Sequence, residues 1–124
     1  HLVGRAEHIA GIGVARDEET FQPKPYVNKL PESLAGRQCI VLDPMLATGG
    51  SLAHTCQLLL QRGATGTIIV VCVLAAPEGI ESLRAAGLQL AVYTAALDER
   101  LNDTAFIVPG LGDAGDRQFG SPAH

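Results

Sequence analysis

Ile40-Val41-Leu42-Asp43-Pro44-Met45-Leu46-Ala47-Thr48-Gly49-Gly50-Ser51 runs from an apolar stretch through a proline and two glycines into an amphipathic segment. Cys39 to Asp43 reads as a short strand ending in a carboxylate. Pro44 has no N–H to give to a ladder and is expected to stop it as a central strand. Ser51 is expected to open a helix, because Leu52, Cys56, Leu59 and Leu60 fall on one face and Gly63 supplies a stop. Downstream, Thr67 to Leu74 is continuously apolar and rich in β-branched residues, as in a parallel strand covered on both faces. Glu78 to Ala86 reads as a second short helix, with Ile80 and Leu83 inward and Gly87 ending it. Leu88 to Thr94 reads as another strand. Strands alternating with helices make βαβ units, so the expected fold class is α/β with a parallel sheet.

Working outward, Ile9 to Ala15 reads as an early strand whose glycines allow close backbone approach. Residues 17–38 are polar and carry Pro23, Pro25 and Pro31 around Tyr26 and Val27, which suits an extended arm or an irregular hairpin and not a helix. At the other end, Phe106-Ile107-Val108 leads into a glycine-rich stretch, Pro109 to Gly120.

The 124 residues fit one domain, 1–124, with enough chain to bury a core. Hydrophobic residues make up 47% and charged residues 18%, a balance that excludes disorder. So low a charged fraction suggests that a partner covers some apolar surface. A net charge of −4 gives no electrostatic footprint for nucleic acid or an anionic membrane. The longest apolar run, Ile68 to Ala76, has nine residues, too few for a bilayer-spanning helix. Cys39, Cys56 and Cys72 lie apart in apolar segments with no Cys-x-x-Cys pair, which suits buried, reduced thiols and a cytoplasmic location. The four histidines show no zinc-ligand spacing. His54 falls on the polar side of its helix, and Tyr26 and Tyr93 read as packing residues.

The stretch from Asp43 to Ser51 admits two readings. In the plainer one, Ser51 caps a helix after an ordinary glycine turn and Asp43 is solvated. In the other, the loop is an anion cradle: Gly49 and Gly50 let backbone N–H groups approach an anion, the helix start adds its free amides, and Thr48 and Ser51 add hydroxyls. Asp43, at the carboxyl end of a strand, then faces sugar hydroxyls, where ligands of open α/β sheets bind. The loop lacks the Gly-Lys-Ser/Thr ending of a P-loop. Gly110-Leu111-Gly112-Asp113-Ala114-Gly115 formally matches G-x-G-x-x-G, but the nine residues after it leave no space for the helix and strand that a dinucleotide fold needs.

Asp43 to Ser51 resembles the loop that binds 5-phosphoribosyl 1-pyrophosphate (PRPP) in uracil phosphoribosyltransferases. Three more segments match that family in the same order: Arg16-Asp17-Glu18-Glu19-Thr20, Ala75-Ala76-Pro77-Glu78-Gly79, and Ile107 to Arg117. The Asp-Pro at 43–44 separates this family from other phosphoribosyltransferases, which carry an acidic pair there. The resemblance implies a type I phosphoribosyltransferase fold, a Rossmann-like parallel sheet flanked by helices with an extended arm. It implies the reaction of pyrimidine salvage, uracil + PRPP → UMP + pyrophosphate, with Mg²⁺ accompanying PRPP. By the same resemblance PRPP is held by Arg16, Asp43, Pro44, Met45, Leu46, Ala47, Thr48, Gly49, Gly50, Ser51 and Asp113. Uracil is held by Ile107, Gly112, Asp113 and Ala114, and Arg16 and Asp113 are the catalytic candidates. A homodimer or larger homo-oligomer, contacted through the arm, and a GTP effector are further implications.

Ala15 stands where family members commonly have tyrosine, and the family's earlier segment, with its arginine before Ala-Gly, has no counterpart. The chain thus resembles the later, larger part of a family member. A PRPP- or UMP-binding regulatory module, or a shortened homologue without full activity, is the alternative to an enzyme.

Overall fold

The computed structural model describes residues 12–16 and 23–110. β1 (Ile12–Arg16) and β2 (Pro23–Asn28) pair antiparallel as a separate two-stranded sheet, with an irregularity between Gly13 and Val14. Two of the prolines of the expected arm, Pro23 and Pro25, lie in β2. Prolines are tolerated there because a two-stranded ribbon consists of edges. The segment after it is tied to the body of the fold: Arg62 Nη1 donates to the carbonyls of Leu30 (3.3 Å) and Pro31 (2.9 Å), and the buried Leu34 donates its N–H to Arg62 O at 2.7 Å.

The main sheet is parallel. β5 (Ile68–Ala75) is its middle row, with β6 (Leu90–Leu97) on one side and both β3 (Ile40–Leu42) and β4 (Met45–Leu46) on the other. α1 (Gly50–Gln61) connects β4 to β5, and α2 (Pro77–Ala85) connects β5 to β6. β7 (Arg100–Leu101) and β8 (Ile107–Val108) form an antiparallel hairpin after β6. The α/β class with a parallel sheet and helical crossovers holds.

Two boundaries differ from expectation for local reasons. Pro44 interrupts the strand without ending it. Asp43 N–H still donates to Val71 O at 3.1 Å, the Pro44 carbonyl accepts from Val73 (3.0 Å) and Leu74 (3.2 Å), and pairing resumes at Met45 opposite Leu74. The missing N–H costs a step of the ladder, whereas the carbonyl remains usable. Nor is Ser51 the helix cap: α1 begins at Gly50, and its N-cap is Gly49, at φ 81°. That left-handed backbone is cheap only for glycine. Gly63 (φ 87°) and Gly87 (φ 69°) end the two helices as expected.

β5 alternates strictly over most of its length. Ile68, Val70, Cys72 and Leu74 are buried, and Val71 and Val73 are exposed. The buried side meets Leu52, Cys56 and Leu59 of α1 and Leu83 of α2, so both helices cover the same face. The expectation that this strand is covered is met on this face. Among the described residues the second face is bare and carries Leu42 (76% exposed), Val73 (61%) and Tyr93 (63%). A continuous apolar run reports two apolar faces; it does not report whether both are covered. Tyr93 accordingly does not pack as expected, and Cys39 is only half-buried whereas Cys56 and Cys72 are buried; all three thiols are free. Burial, with Cys39 nearby, pushes the Cys56 thiol up to about 11.

Candidate functional site

The site lies at the carboxyl edge of the parallel sheet, where β4, β5 and β6 end side by side. Leu46 pairs with Ala75 and Ala75 with Leu97. Ala76 N–H donates to Leu46 O at 2.9 Å and Asp98 N–H to Ala75 O at 2.8 Å, so the edge is fixed row by row. Each strand then turns into a segment with a different chemical character.

The first is Ala47-Thr48-Gly49, entering α1. Gly49 is buried, no side chain caps the helix, and no acidic residue sits in its first turn. The leading amides of α1 are thus left for an outside acceptor, at the positive end of the helix dipole. Ser51 is exposed at this end, and Thr48 is half-buried. Leu46 differs from its neighbours: its side chain is 1% exposed and belongs to the core. Only its backbone remains for a ligand.

The loop is held from behind by α2. A Cβ on Gly49 would lie 2.9 Å from Gly79 O, and a Cβ on Gly79 would collide with the Ala47 carbonyl. Two glycines, thirty residues apart, therefore let the turn and the first turn of α2 touch backbone to backbone. Gly79 is a site residue that the sequence reading left without a role. Its signal was a glycine inside a helical pattern, which usually marks a close approach.

Asp43 sits half-buried at the break between β3 and β4. Its Oδ1 accepts the Met45 N–H at 3.3 Å. Burial raises its carboxyl above the ordinary value, and the Met45 bond works against that rise. A partly desolvated carboxylate is suited to accept hydroxyl donors that would restore its lost solvation. A shallow apolar hollow of about 290 Å³ opens beside it on the bare face, at Leu42, Pro44, Val71 and Val73.

The third segment is the β7–β8 hairpin. Ile107 is buried in a small cluster with Leu74 and Ala76, and Met45, Ala47 and Leu101 pack against that cluster. This is the central geometric result: the loop after β4 and the segment at 107, about sixty residues apart in sequence, share one small core. The hairpin is tied down by two carboxylates. Glu78 Oε1 accepts the Leu101 N–H at 2.9 Å, and Asp98 Oδ2 accepts the Gly110 N–H at 2.8 Å. The Leu101 bond, first among several causes, holds the Glu78 carboxyl below its ordinary value. The sequence reading did not single out Asp98. Its one signal was a carboxylate just past the carboxyl end of a parallel strand.

Arg16 is the last residue of β1, opposite Pro23. Gly112, Asp113 and Ala114 lie outside the described residues. His54, expected in solvent, is half-buried, and its Nε2 is buried without a hydrogen-bond partner. Among the described residues no three His, Cys, Asp or Glu side chains gather to hold a metal ion, and no helix is long and apolar enough to cross a membrane.

An open parallel sheet with an uncapped glycine-led helix start and an adjoining carboxylate at its carboxyl edge defines an open α/β domain whose ligand side is that edge. The particular family follows from comparison, since the uracil phosphoribosyltransferase family model matches residues 2–121: the chain belongs to that family. The uracil phosphoribosyltransferase of Enterococcus faecalis is 54% identical over 116 residues, 94% of this chain and 55% of the relative. That of Corynebacterium diphtheriae is 55% identical over 112 residues, covering 90% and 53%. Among solved structures, the AQ2163 protein from Aquifex aeolicus superposes with a TM-score of 0.77 at 38% identity, over 91% of this chain and 53% of that one. The chain thus spans just over half the length of the relatives it matches.

Proposed function

We propose that this chain carries the PRPP and uracil sites of a uracil phosphoribosyltransferase, an enzyme that joins uracil to the ribose of PRPP and releases pyrophosphate. The observation that carries the reading is the shared core of Met45, Ala47 and Ile107, because one small cluster seats both the loop assigned to the ribose phosphate and the segment assigned to the base. The relatives named above act under that name, and their similarity spans nearly all of this chain.

In this reading the amides of Gly49, Gly50 and Ser51, with the Thr48 hydroxyl, hold the 5-phosphate. Asp43 takes the ribose hydroxyls, and Pro44, Met45, Leu46 and Ala47 line the cradle through their backbone. Backbone groups of Ile107, Gly112 and Ala114 match the alternating donor and acceptor edge of uracil, which cytosine does not present. Departure of pyrophosphate leaves an electron-poor ribose carbon that the base nitrogen attacks. The protein's part is alignment of the two substrates and stabilisation of charge. Arg16 steadies the departing anion, and Asp113 steadies positive charge near the reacting carbon. Mg²⁺ enters with PRPP as part of the substrate, in keeping with its preference for phosphate oxygens and water. Three free thiols support a cytoplasmic location. The bare apolar face and the 18% charged fraction support an assembly larger than this chain, such as a homo-oligomer reached through the arm of residues 17–38. GTP as an effector belongs to the same proposal.

A second reading is a PRPP- or UMP-binding module without turnover. Calorimetry with UMP and with PRPP, beside a uracil-dependent UMP assay on the same sample, separates the two. Binding with turnover is expected for the enzyme. Binding without turnover selects the module, and no binding of either ligand overturns both.

A further inference from the structure

Asp98 stands at the point where β6 gives way to the β7–β8 hairpin, and its backbone and carboxylate act in different directions. Its N–H extends the sheet by donating to Ala75 O at 2.8 Å. Its Oδ1 accepts the Glu99 N–H at 3.1 Å, and its Oδ2 reaches across twelve residues to the Gly110 N–H at 2.8 Å. A half-buried carboxylate with two amide donors is a strong, directional pin, because charge-assisted bonds to backbone N–H groups are shorter and stronger than neutral ones.

A side chain at position 110 would press on the pin. A Cβ on Gly110 would lie 2.5 Å from Asp98 Oδ2, 2.9 Å from Leu74 Cδ2 and 3.1 Å from Ile107 O. Gly110 is thus pressed between the carboxylate, the core and the backbone of Ile107. Ile107 on the other side of this turn is buried with Leu74 and Ala76. The turn from Ile107 to Gly110 is therefore fixed at both ends, by packing at Ile107 and by Asp98 at Gly110. The residues assigned to the base lie on this turn and directly after it.

We propose that Asp98 is a positioning residue for the pyrimidine site: by holding the Gly110 amide, it fixes the turn that carries Ile107, whose backbone is assigned to the base, and it does so without touching the base. The proposal rests on the uracil reading above. It separates the two halves of the ligand, because the phosphate loop is seated by Gly49 and Gly79 and makes no contact of this kind with Asp98.

The test compares UMP with ribose 5-phosphate, which lacks the base, on wild type, Asp98→Ala and Asp98→Glu. Losing a charge-assisted bond that orders a binding segment is expected to weaken UMP about tenfold or more in Asp98→Ala. Ribose 5-phosphate affinity should stay within about twofold, and Asp98→Glu should recover part of the UMP loss. Equal weakening of both ligands, or no change in either, overturns the proposal. A second measurement does not depend on ligand: in amide hydrogen exchange, Gly110 should lose protection in Asp98→Ala while the β5 amides keep theirs. Unchanged protection at Gly110 also overturns it. If wild type binds UMP no tighter than ribose 5-phosphate while Gly110 does lose protection, the pin is present but the uracil reading fails, and the proposed role falls with it.

Discussion

Asp43 shows how a single residue carries a cost that binding would recover. Burial raises its carboxyl above the ordinary value, so the folded ligand-free protein holds a proton there more tightly than the unfolded chain does. For such a group, stability is fully present below the unfolded pKa and is lost as pH rises through the folded one. Asp43→Asn keeps an oxygen able to accept the Met45 N–H and removes the ionisation. The variant is expected to unfold at higher urea than wild type at pH 7, with the difference closing as pH falls below the ordinary carboxylate range. Its affinity for PRPP should fall at the same time, because the amide is a weaker partner for ribose hydroxyls. Urea curves at pH 7 and pH 3 check the sign; a variant less stable than wild type at pH 7 would contradict the burial argument.

At the scale of elements, the loop from Ala47 to Gly49 is built by contact between a turn and a helix, and Gly79 is the place where two effects oppose each other. Helix propensity alone predicts that Gly79→Ala stabilises α2 by about 1 kcal/mol. The new Cβ would meet the Ala47 carbonyl and crowd a methyl of Leu46, and backbone cannot move aside as the end of a side chain can. Overpacking of that kind costs roughly 1–3 kcal/mol, so the clash is expected to win. Gly79→Ala should therefore lower the urea midpoint and weaken PRPP, with α2 still helical by circular dichroism. A stabilised variant would mean that the loop and α2 separate easily and that the seat is softer than the packing implies.

For the whole molecule, the decisive feature is a sheet whose second face is bare among the described residues. Val70 and Val73 are chemically identical and three positions apart on β5, yet one is 0% exposed and the other 61%. Val70→Ala removes buried methyl groups against α1 and should cost about 2 kcal/mol. Val73→Ala should stay within about 0.5 kcal/mol, as surface changes do. Paired denaturation curves of the two variants test this directly. Equal costs would show that the bare face is covered in solution, and their dependence on protein concentration would tell whether further copies cover it.

The sequence by itself determined the alternation of strands and helices, the glycine stops at Gly63 and Gly87, the family, and the loop from Asp43 to Ser51. These are local matters, set by periodicity, backbone freedom and the order of short segments along the chain. It did not determine that the ladder resumes after Pro44, that Gly49 rather than Ser51 is the N-cap position of α1, or that α1 and α2 lie on the same face of β5. Nor did it disclose Gly79 and Asp98. Each of those depends on a group brought from far along the chain: the β5 amides that the Pro44 carbonyl meets, the α2 backbone behind Gly49, the Gly110 amide over Asp98. A hydrogen bond or a close contact needs two partners at a few ångströms, and a sequence pattern names the residues without fixing that distance.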